Sequence, residues 1–406
     1  MRKDAVRLLV AIALAVTAVL AVSSHLSGPA GWTPDALFYQ ARVYEIVDGD
    51  TQAQALHRAF DGPLAADLRQ LDPERSGSPQ WVAYNARFYE RRLAVPYTAA
   101  AIEPLAGDRA LLDVSIAGYV AVVLALFWLL LVLRLPLALA TAVSAAAIFL
   151  PALTKHSTFP LTDSWGLALE IAAFATAVLA LRRGPRWLIP WAALIALASI
   201  TRDSMWVPIL AAAWLAVTQR TRIAVLLTAT GVAAALPAVI AIRVPMRELL
   251  AQMLNGAMPA PDMSWTTIAG KYPAAIVDML QADGGFVRDG ALYSALFLLA
   301  GLALLFLLAR GSDAATLMKA GAIAGAAYVV AVPVFSAFRI ELVLVPMAAY
   351  GLALGTRRLV SRVGVPAWGA STAAGDRKAT VGALPTNRKS GPAPEAAFGD
   401  LLSERP

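Results

Sequence analysis

The residue best placed for chemistry is Asp35, in the stretch GWTPDALFYQARVYEIVDGD that follows the first apolar segment. Thr33 and Pro34 favour a helix start here, and the glycine of VDGD favours its end. At spacings of four and three residues, Asp35, Tyr39 and Arg42 would share one helix face. The Asp35 carboxylate could therefore accept a proton from a reacting hydroxyl, or it could cap the helix.

An apolar strip on the same helix predicts its surroundings. The strip consists of Leu37, Phe38, Ala41 and Tyr44. We expect it to lie along the membrane surface or against other helices of the same loop. Tyr39 shares the face of Asp35 and would line a site, whereas Tyr44 would anchor the helix at the interface.

Isolated cations occur in three short connections, TKHSTFPLTDS, ITRDSMW and FSAFRIEL, each beside an acid or a hydroxyl. A guanidinium group binds phosphate oxygens in pairs, so these cations could hold an anion. The candidates are Arg202, Arg339 and Lys155, together with Arg91 and Arg92 of RFYERRLAVPY.

Each of these residues also has a purely structural interpretation. Arg202 could form a local salt bridge with Asp203, and Arg339 one with Glu341. Asp163 could cap the helix that follows it, or support the site from behind.

Lipid contacts offer further alternatives. Arg91 and Arg92 could extend to the headgroups, and His156 could hydrogen-bond at the boundary rather than contact a substrate. Four tryptophans fit a belt of aromatic residues at the membrane interface better than a platform on which a sugar ring stacks, although stacking stays open. They are Trp32, Trp81, Trp206 and Trp265.

Composition sets the class of protein. Of 406 residues, 59% are hydrophobic and 15% charged, and the apolar residues fall in long blocks. This pattern indicates a polytopic, all-α integral membrane protein. Without cysteine there is no disulfide framework, thiolate metal site or cysteine nucleophile. The three histidines have no zinc-hydrolase spacing, and no basic and aromatic surface suggests nucleic acid as a partner.

Apolar runs predict about ten transmembrane helices. They are 6–22, 110–133, 135–153, 165–181, 187–199, 205–217, 223–242, 291–308, 320–335 and 342–354. The pair within 187–217 is short and could be two tilted spans or two half-helices entering from one side.

Basic residues predict the orientation of these spans. Starting from Arg2, Lys3 and Arg7, every second connection is rich in arginine or lysine, which places it in the cytoplasm. Both termini are then cytoplasmic, and the connections that carry the isolated cations are extracytoplasmic. The net charge of +7 follows from this topology and from contact with anionic membrane lipids.

The domain layout follows from these spans. Residues 1–22 form a signal anchor, with a cleavable signal peptide as the alternative. The predicted segments after it are a first extracytoplasmic loop at 23–109, spans two to seven at 110–242, a second extracytoplasmic loop at 243–290, spans eight to ten with a basic cytoplasmic end at 291–364, and a disordered cytoplasmic tail at 365–406.

Four short motifs resemble the GT-C superfamily of polytopic membrane glycosyltransferases. PDALFYQARVYEIVDG resembles the acidic start of the first extracytoplasmic loop, and FPLTDSWGLALE that of a middle span. ITRDSMWVPIL resembles a charged turn before a proline-containing helix, and FRIELVLVPMAAYGLA a late span that begins with an arginine. The similar architecture covers about 350 residues, while the motifs themselves are short and degenerate.

The resemblance implies a GT-C-like fold and transfer of a sugar from a polyprenyl-phosphate carrier to a glycan or lipid acceptor at the cell membrane. Asp35 would be the catalytic base. The substrate-binding residues would be Tyr39, Arg92, His156, Asp163, Arg202 and Arg339. Many members carry two adjacent acids in the first loop, whereas here Ala36 follows Asp35. A divalent metal therefore has no support from the sequence, and no cofactor is firmly implied.

Two other functions stay open at this point. A multi-pass transporter or flippase for a lipid or amphipathic solute would have discontinuous helices at matching positions of two halves. The two long loops, which follow span one and precede span eight, break such a match. A membrane assembly factor without catalysis would leave the extracytoplasmic acids and arginines unclustered.

Overall fold

The structure, a computed structural model, describes residues 2–26, 32–73, 78–241, 244–256, 258–260, 262–333 and 338–362. All regular elements in these ranges are helical. The chain divides into two units, 1–359 and 360–406, and only residues 360–362 of the second are described. The predicted disordered tail at 365–406 lies outside the described residues.

The first loop and the helices around it make up the N-terminal part of the fold. In chain order the helices are α1 (Arg2–Ser23), α2 (Pro34–Val47), α3 (Gln52–Asp61), α4 (Ala66–Leu71), α5 (Pro79–Tyr89), α6 (Ala94–Ala106), α7 (Ala110–Val132), α8 (Leu137–Ile148) and α9 (Pro151–Ser157).

The remaining helices complete the apolar bundle. They are α10 (Asp163–Arg183), α11 (Leu188–Ser199), α12 (Trp206–Gln219), α13 (Arg222–Ile240), α14 (Met246–Leu254), α15 (Trp265–Phe286), α16 (Leu292–Leu308), α17 (Asp313–Ala331) and α18 (Val345–Arg362).

Seven helical segments in the described part of the chain are long and apolar enough to cross a membrane, or eight if one bent pair counts as a span. The predicted all-helical class is confirmed for the described residues, and the apolar helices are consistent with a membrane protein. The predicted total of about ten is not confirmed, because α11 and α12 have only 12 and 14 residues. At 1.5 Å per residue, such helices are shorter than the roughly 30 Å of a hydrocarbon core.

The predicted span at 135–153 is not one continuous helix. Helix α8 ends at Ile148 and α9 starts at Pro151, with a bend of 62° between them. Proline has no N–H to continue the helical hydrogen bonds, and it moves the residue before it out of the helical region. Leu150 accordingly has an extended backbone with ψ 114°. The sequence PALTKHS therefore forms a separate short helix.

Helix α10 is the most enclosed of the candidate spans in the described chain and packs against α7, α11 and α17. Small residues allow close helix contacts elsewhere in the bundle. A Cβ atom at Gly351 in α18 would lie 1.8 Å from the carbonyl oxygen of Gly301 in α16. These two helices thus cross backbone to backbone, which fixes the position of α18.

The first loop has its own apolar core. Phe38 of α2 stacks on Tyr89 at 4.6 Å and contacts Phe60 and Trp81. The apolar strip of α2 therefore lies against the other loop helices, which was one of the two expectations. Tyr44 is buried there and donates to Asp108 at 3.3 Å. Its predicted role as an interface anchor is wrong, as is a belt position for buried Trp81.

The second loop contains α14 and α15 and is tied to the first loop by polar contacts. Arg87 of α5 donates to both carboxylate oxygens of Glu248 in α14, at 2.9 and 3.2 Å. Gln252 donates to Asn85 at 2.9 Å. Between α15 and α16 lies the turn Val287–Ala291, in which Gly290, with φ +133°, breaks the helix.

Candidate functional site

Asp35 lies in the first turn of α2 but does not cap it. The Thr33 hydroxyl takes that role by accepting from the Ala36 N–H at 3.3 Å. The Asp35 carboxylate instead accepts from the Tyr89 hydroxyl at 2.5 Å and from Nη1 of Arg339 at 2.8 Å. The capping interpretation of Asp35 is therefore wrong, and its carboxylate joins the first loop to the start of the last helix.

Asp163 connects two arginines that are far apart in the chain. Its Oδ1 accepts from Nε of Arg339 at 2.7 Å and from Nη1 of Arg202. The Asp163 side chain is 1% exposed, and its Oδ2 has no hydrogen-bond partner among the described residues. Thr162, not Asp163, occupies the cap position of α10. The capping interpretation of Asp163 is therefore also wrong.

Neither of the two local salt bridges considered as alternatives is formed among the described contacts. Arg202 has an extended backbone, φ −159° and ψ 160°, directly before the helical turn that begins at Asp203. Asp203 pairs with Arg91 and lies 3.6 Å from Nη2 of Arg92. Arg202 and Arg339 therefore both turn toward Asp163 rather than toward the acids next to them in the sequence.

Arg92 joins the two tyrosine-bearing helices of the first loop. Its Nη1 donates to the Tyr39 hydroxyl at 2.8 Å, and its guanidinium carbon lies 5.4 Å from the centre of the Tyr89 ring. The Tyr39 hydroxyl lies 3.3 Å from Oγ1 of Thr162, directly before Asp163. Arg91 and Arg92 are thus held inside the protein, and the interpretation that they extend to lipid headgroups is wrong.

We call seven of these residues the charge network. They are Asp35, Arg91, Arg92, Asp163, Arg202, Asp203 and Arg339. Four arginines against three aspartates leave one net positive charge on the network. Glu170, two turns further along α10, is fully buried and forms no ion pair with the network among the described contacts. A charge on that carboxyl would be costly inside the bundle.

The network has an accessible end and a closed end. The side chains of Asp35 and Arg339 are 23% and 22% exposed, whereas Asp163 and Arg202 are buried. An anion approaching from solvent would therefore meet Asp35, Arg339 and their neighbours first. The ion pairs at this end balance two arginines against two aspartates, and the excess positive charge lies with Arg91 and Arg92, which pair with Asp203. Arg339 N–H groups beyond those donated to Asp35 and Asp163 in the described contacts suit a phosphate oxygen.

The ionisation of the accessible groups follows from their partners. Burial raises the pKa of Asp35, but Arg339, the Tyr89 hydrogen bond and Arg92 outweigh it and hold that pKa below its usual value. Burial and the neighbouring Asp35 charge raise the pKa of the Tyr89 hydroxyl well above its usual value. At neutral pH, Asp35 is therefore an ionised acceptor and Tyr89 a neutral donor.

His156 and Lys155 flank the network on α9. His156 is buried and interacts electrostatically with Asp163. The Lys155 ammonium group lies 4.5 Å from the centre of the Phe286 ring, at the end of α15. His156 therefore belongs to the surroundings of the network, whereas Lys155 faces an aromatic ring.

Tyr89, Asp203 and Thr162 were not predicted as site residues. Tyr89 stands in the quoted stretch RFYERRLAVPY, two residues before Arg91. The combination of cations and aromatic residues in that stretch is the sequence signal that could have identified Tyr89 as a site residue. Asp203 was noted only as a local partner of Arg202, and nothing in the sequence singled out Thr162.

Two further observations bear on what could bind here. A pocket beside the network is lined by Arg91 together with Arg87, Phe88, Glu90, Ala241, Val244 and Leu249. In the described part of the chain, no three histidine or acidic side chains come together in a way that could hold a metal ion. The sequence-based view on metal use stays a prediction.

Fold and site together define a multi-pass helical membrane protein with a buried, net-positive charge network at one end of its bundle. No protein-family model matches this sequence, and a search of curated proteins finds no match to it.

Proposed function

We propose that this protein is a membrane glycosyltransferase of GT-C type, which moves a sugar from a polyprenyl-phosphate carrier to a glycan or lipid acceptor on the extracytoplasmic side. One observation carries the proposal. The ionised, partly buried carboxylate of Asp35 shares the guanidinium group of Arg339 with Asp163, and Arg92 lies close enough to act on the Asp35 charge. A base and an anion-binding group therefore meet at one accessible place.

The chemistry needs both groups. The acceptor oxygen forms a bond to the anomeric carbon while the bond from that carbon to the phosphate oxygen breaks, and the bonding pair leaves with the phosphate. The acceptor's hydroxyl proton passes to the Asp35 carboxylate, which later releases it to water. A phosphate is already a good leaving group, so cations rather than a strong acid suffice on that side.

Individual residues would have distinct roles in this reaction. Arg339 would hold the departing phosphate through N–H groups not used by Asp35 and Asp163, and Arg92 would add a second cation. Tyr89 orients the Asp35 carboxylate by its hydrogen bond. Asp163 holds Arg339 in place from the buried side.

Other predicted residues would support these roles. Arg202 compensates the buried charge of Asp163, and Tyr39 fixes Arg92. His156 is buried, so it would support the site through Asp163 rather than contact the substrate. The clustering of these acids and arginines argues against an assembly factor without catalysis, for which we expected no cluster.

Replacement of Asp35 by asparagine tests the proposal. We expect loss of one glycan or glycolipid in cells at normal protein abundance, and a decrease of about 10²–10⁴-fold in sugar transfer. Transfer is measured with purified full-length protein in lipid nanodiscs, as release of polyprenyl phosphate from a panel of polyprenyl-phosphate monosaccharides.

The matched control is Asp48→Asn, at the other end of the same helix. Asp48 pairs with Arg58 at 2.5 Å and is largely exposed, so its replacement should leave transfer unchanged. Retained glycosylation in the Asp35→Asn protein would refute the role of Asp35 as the base.

A transporter or flippase is the second candidate, and the bent pair α8 and α9 favours it. Discontinuous helices frequently form the solute sites of transporters. The two proposals separate in proteoliposomes. A transporter would move a labelled polyprenyl-phosphate lipid between leaflets without releasing sugar, whereas the enzyme would release polyprenyl phosphate without moving the lipid.

A further inference from the structure

The turn that carries Arg339 has an unusual backbone. Phe338, directly before Arg339, has φ +66°, in the left-handed region. A bulky residue other than glycine rarely adopts this conformation, and it persists only where the surrounding structure holds it. The position of Arg339 therefore depends on contacts outside the turn.

Those contacts come from the last turn of α15. Oδ1 of Asp283 accepts a hydrogen bond from the Phe338 N–H at 3.0 Å. The Phe286 ring lies 6.1 Å from the Phe338 ring, centre to centre. Lys155 of α9 lies against the same Phe286 ring, at 4.5 Å. Two side chains of one helix thus hold both the backbone and the ring of Phe338.

Asp283 is buried and contacts the chain on both sides of Arg339. Besides accepting from the Phe338 N–H, its carboxyl group shares a side-chain hydrogen bond with Glu341. Glu341 begins the helical turn that follows Arg339. Of these two contacts, the one to Phe338 holds the residue directly before Arg339.

We propose that Asp283 is a positioning residue, which sets the Arg339 guanidinium between Asp35 and Asp163 by holding the Phe338 N–H. The part that Arg339 plays in phosphate binding rests on the function proposed above, whereas the positioning itself does not. Through this contact, the second loop controls the accessible end of the charge network.

The chain contains no cysteine, so one introduced thiol reports a single position. Ile340 is buried, and in an Ile340→Cys protein the thiol should react slowly with N-ethylmaleimide. We expect Asp283→Ala to raise the labelling rate about tenfold, because the turn loses the hydrogen bond donated by the Phe338 N–H. Asp283→Asn keeps an acceptor oxygen and should label as slowly as the parent.

The control is Asp278→Ala, an exposed acid on the same helix, which should leave the rate unchanged. Equal labelling of the Asp283→Ala protein and its parent would overturn the proposal. So would an Asp283→Asn protein that labels as fast as Asp283→Ala. A measurement without substitution is hydrogen exchange in the native full-length protein, where fast exchange of the Phe338 amide would also overturn it.

A binding assay links the position of Arg339 to the proposed function. With undecaprenyl phosphate as the probe in nanodiscs, Asp283→Ala should raise Kd about tenfold, and Asp283→Asn should restore binding to within about twofold. Unaltered binding by Asp283→Ala would contradict the positioning role. If the unsubstituted protein does not bind undecaprenyl phosphate, the proposed function fails, while the labelling rates still decide the role of Asp283.

Discussion

Two kinds of ion pair occur in this protein, and they differ in reach and burial. The charge network joins residues from distant parts of the chain, such as Asp35 and Arg339, and it includes Asp163 with a side chain 1% exposed. Among the described pairs with both side chains exposed, the partners are at most ten positions apart. Arg109 and Asp113 are an example, at 3.5 Å and with side chains 69% and 39% exposed.

The difference between the two kinds of pair lies in the free-energy cost of removing a charge from water. A surface pair stays hydrated, and its loss changes the free energy of unfolding by little. A buried pair has lost its hydration, so removal of one partner leaves a charge without compensation. The cost of assembling such a network is consistent with the binding role proposed above.

The largest effect is expected for Arg202→Met. This change leaves Asp163 inside the bundle with one arginine instead of two, and it should lower the free energy of unfolding by about 3–5 kcal/mol. The measurement is unfolding by sodium dodecyl sulfate in bicelles, followed by tryptophan fluorescence. A decrease below roughly 1 kcal/mol, as for a surface pair, would remove the distinction between the two kinds.

A smaller effect is expected for Tyr89→Phe, which removes one donor to Asp35. The Tyr89 hydrogen bond lowers the pKa of Asp35 and burial raises it, so the pKa of Asp35 should be higher in the Tyr89→Phe protein than in the unaltered protein. A depressed carboxyl pKa adds stability above the unfolded value of about 3.9, and this stability is lost as the pH falls through the folded value.

In the Tyr89→Phe protein, that loss should begin at a higher pH. The acid limb of the pH–rate profile for sugar transfer should move to higher pH as well, because only ionised Asp35 accepts a proton. Tyr84→Phe is the control, since Tyr84 lies on the same helix and its hydroxyl does not contact Asp35 among the described hydrogen bonds. Identical acid limbs for the Tyr89→Phe and Tyr84→Phe proteins would contradict the contact.

The smallest effect is expected for Arg109→Met, which breaks the exposed pair with Asp113. The change in the free energy of unfolding should stay within about 0–1 kcal/mol and decrease further in high salt. The same bicelle assay measures it at two salt concentrations. A loss comparable to that of Arg202→Met would show that exposure does not separate the two kinds of pair.

Much of the helical architecture could be predicted from the sequence, because long apolar blocks bounded by charged residues determine where membrane helices begin and end. The break at Pro151 was missed because apolar composition continues through it, although proline itself marked it. The number of spans was less predictable, since composition alone cannot show whether α11 and α12, at 12 and 14 residues, cross the bilayer.

Which residues belong to the site could be predicted better than which of them form ion pairs with one another. Asp35, Arg202 and Arg339 stood out because isolated charges beside apolar segments are costly without a purpose. Their pairing depends on side-chain direction and on helix packing. The extended backbone of Arg202 separates it from Asp203, and no local pattern could reveal that Asp163 accepts from both arginines.

The wide separation of the network residues also has a consequence for biosynthesis. Asp35, Asp163 and Arg202 are made well before Arg339, with about 140 residues between the last two. At roughly 5–20 residues per second, the ribosome needs on the order of 10–30 s for that interval. During this time the half-made protein holds Asp163 with a single arginine, and the site closes only when the last helix is inserted. A nascent chain stalled before Arg339 should therefore be an open, protease-sensitive intermediate.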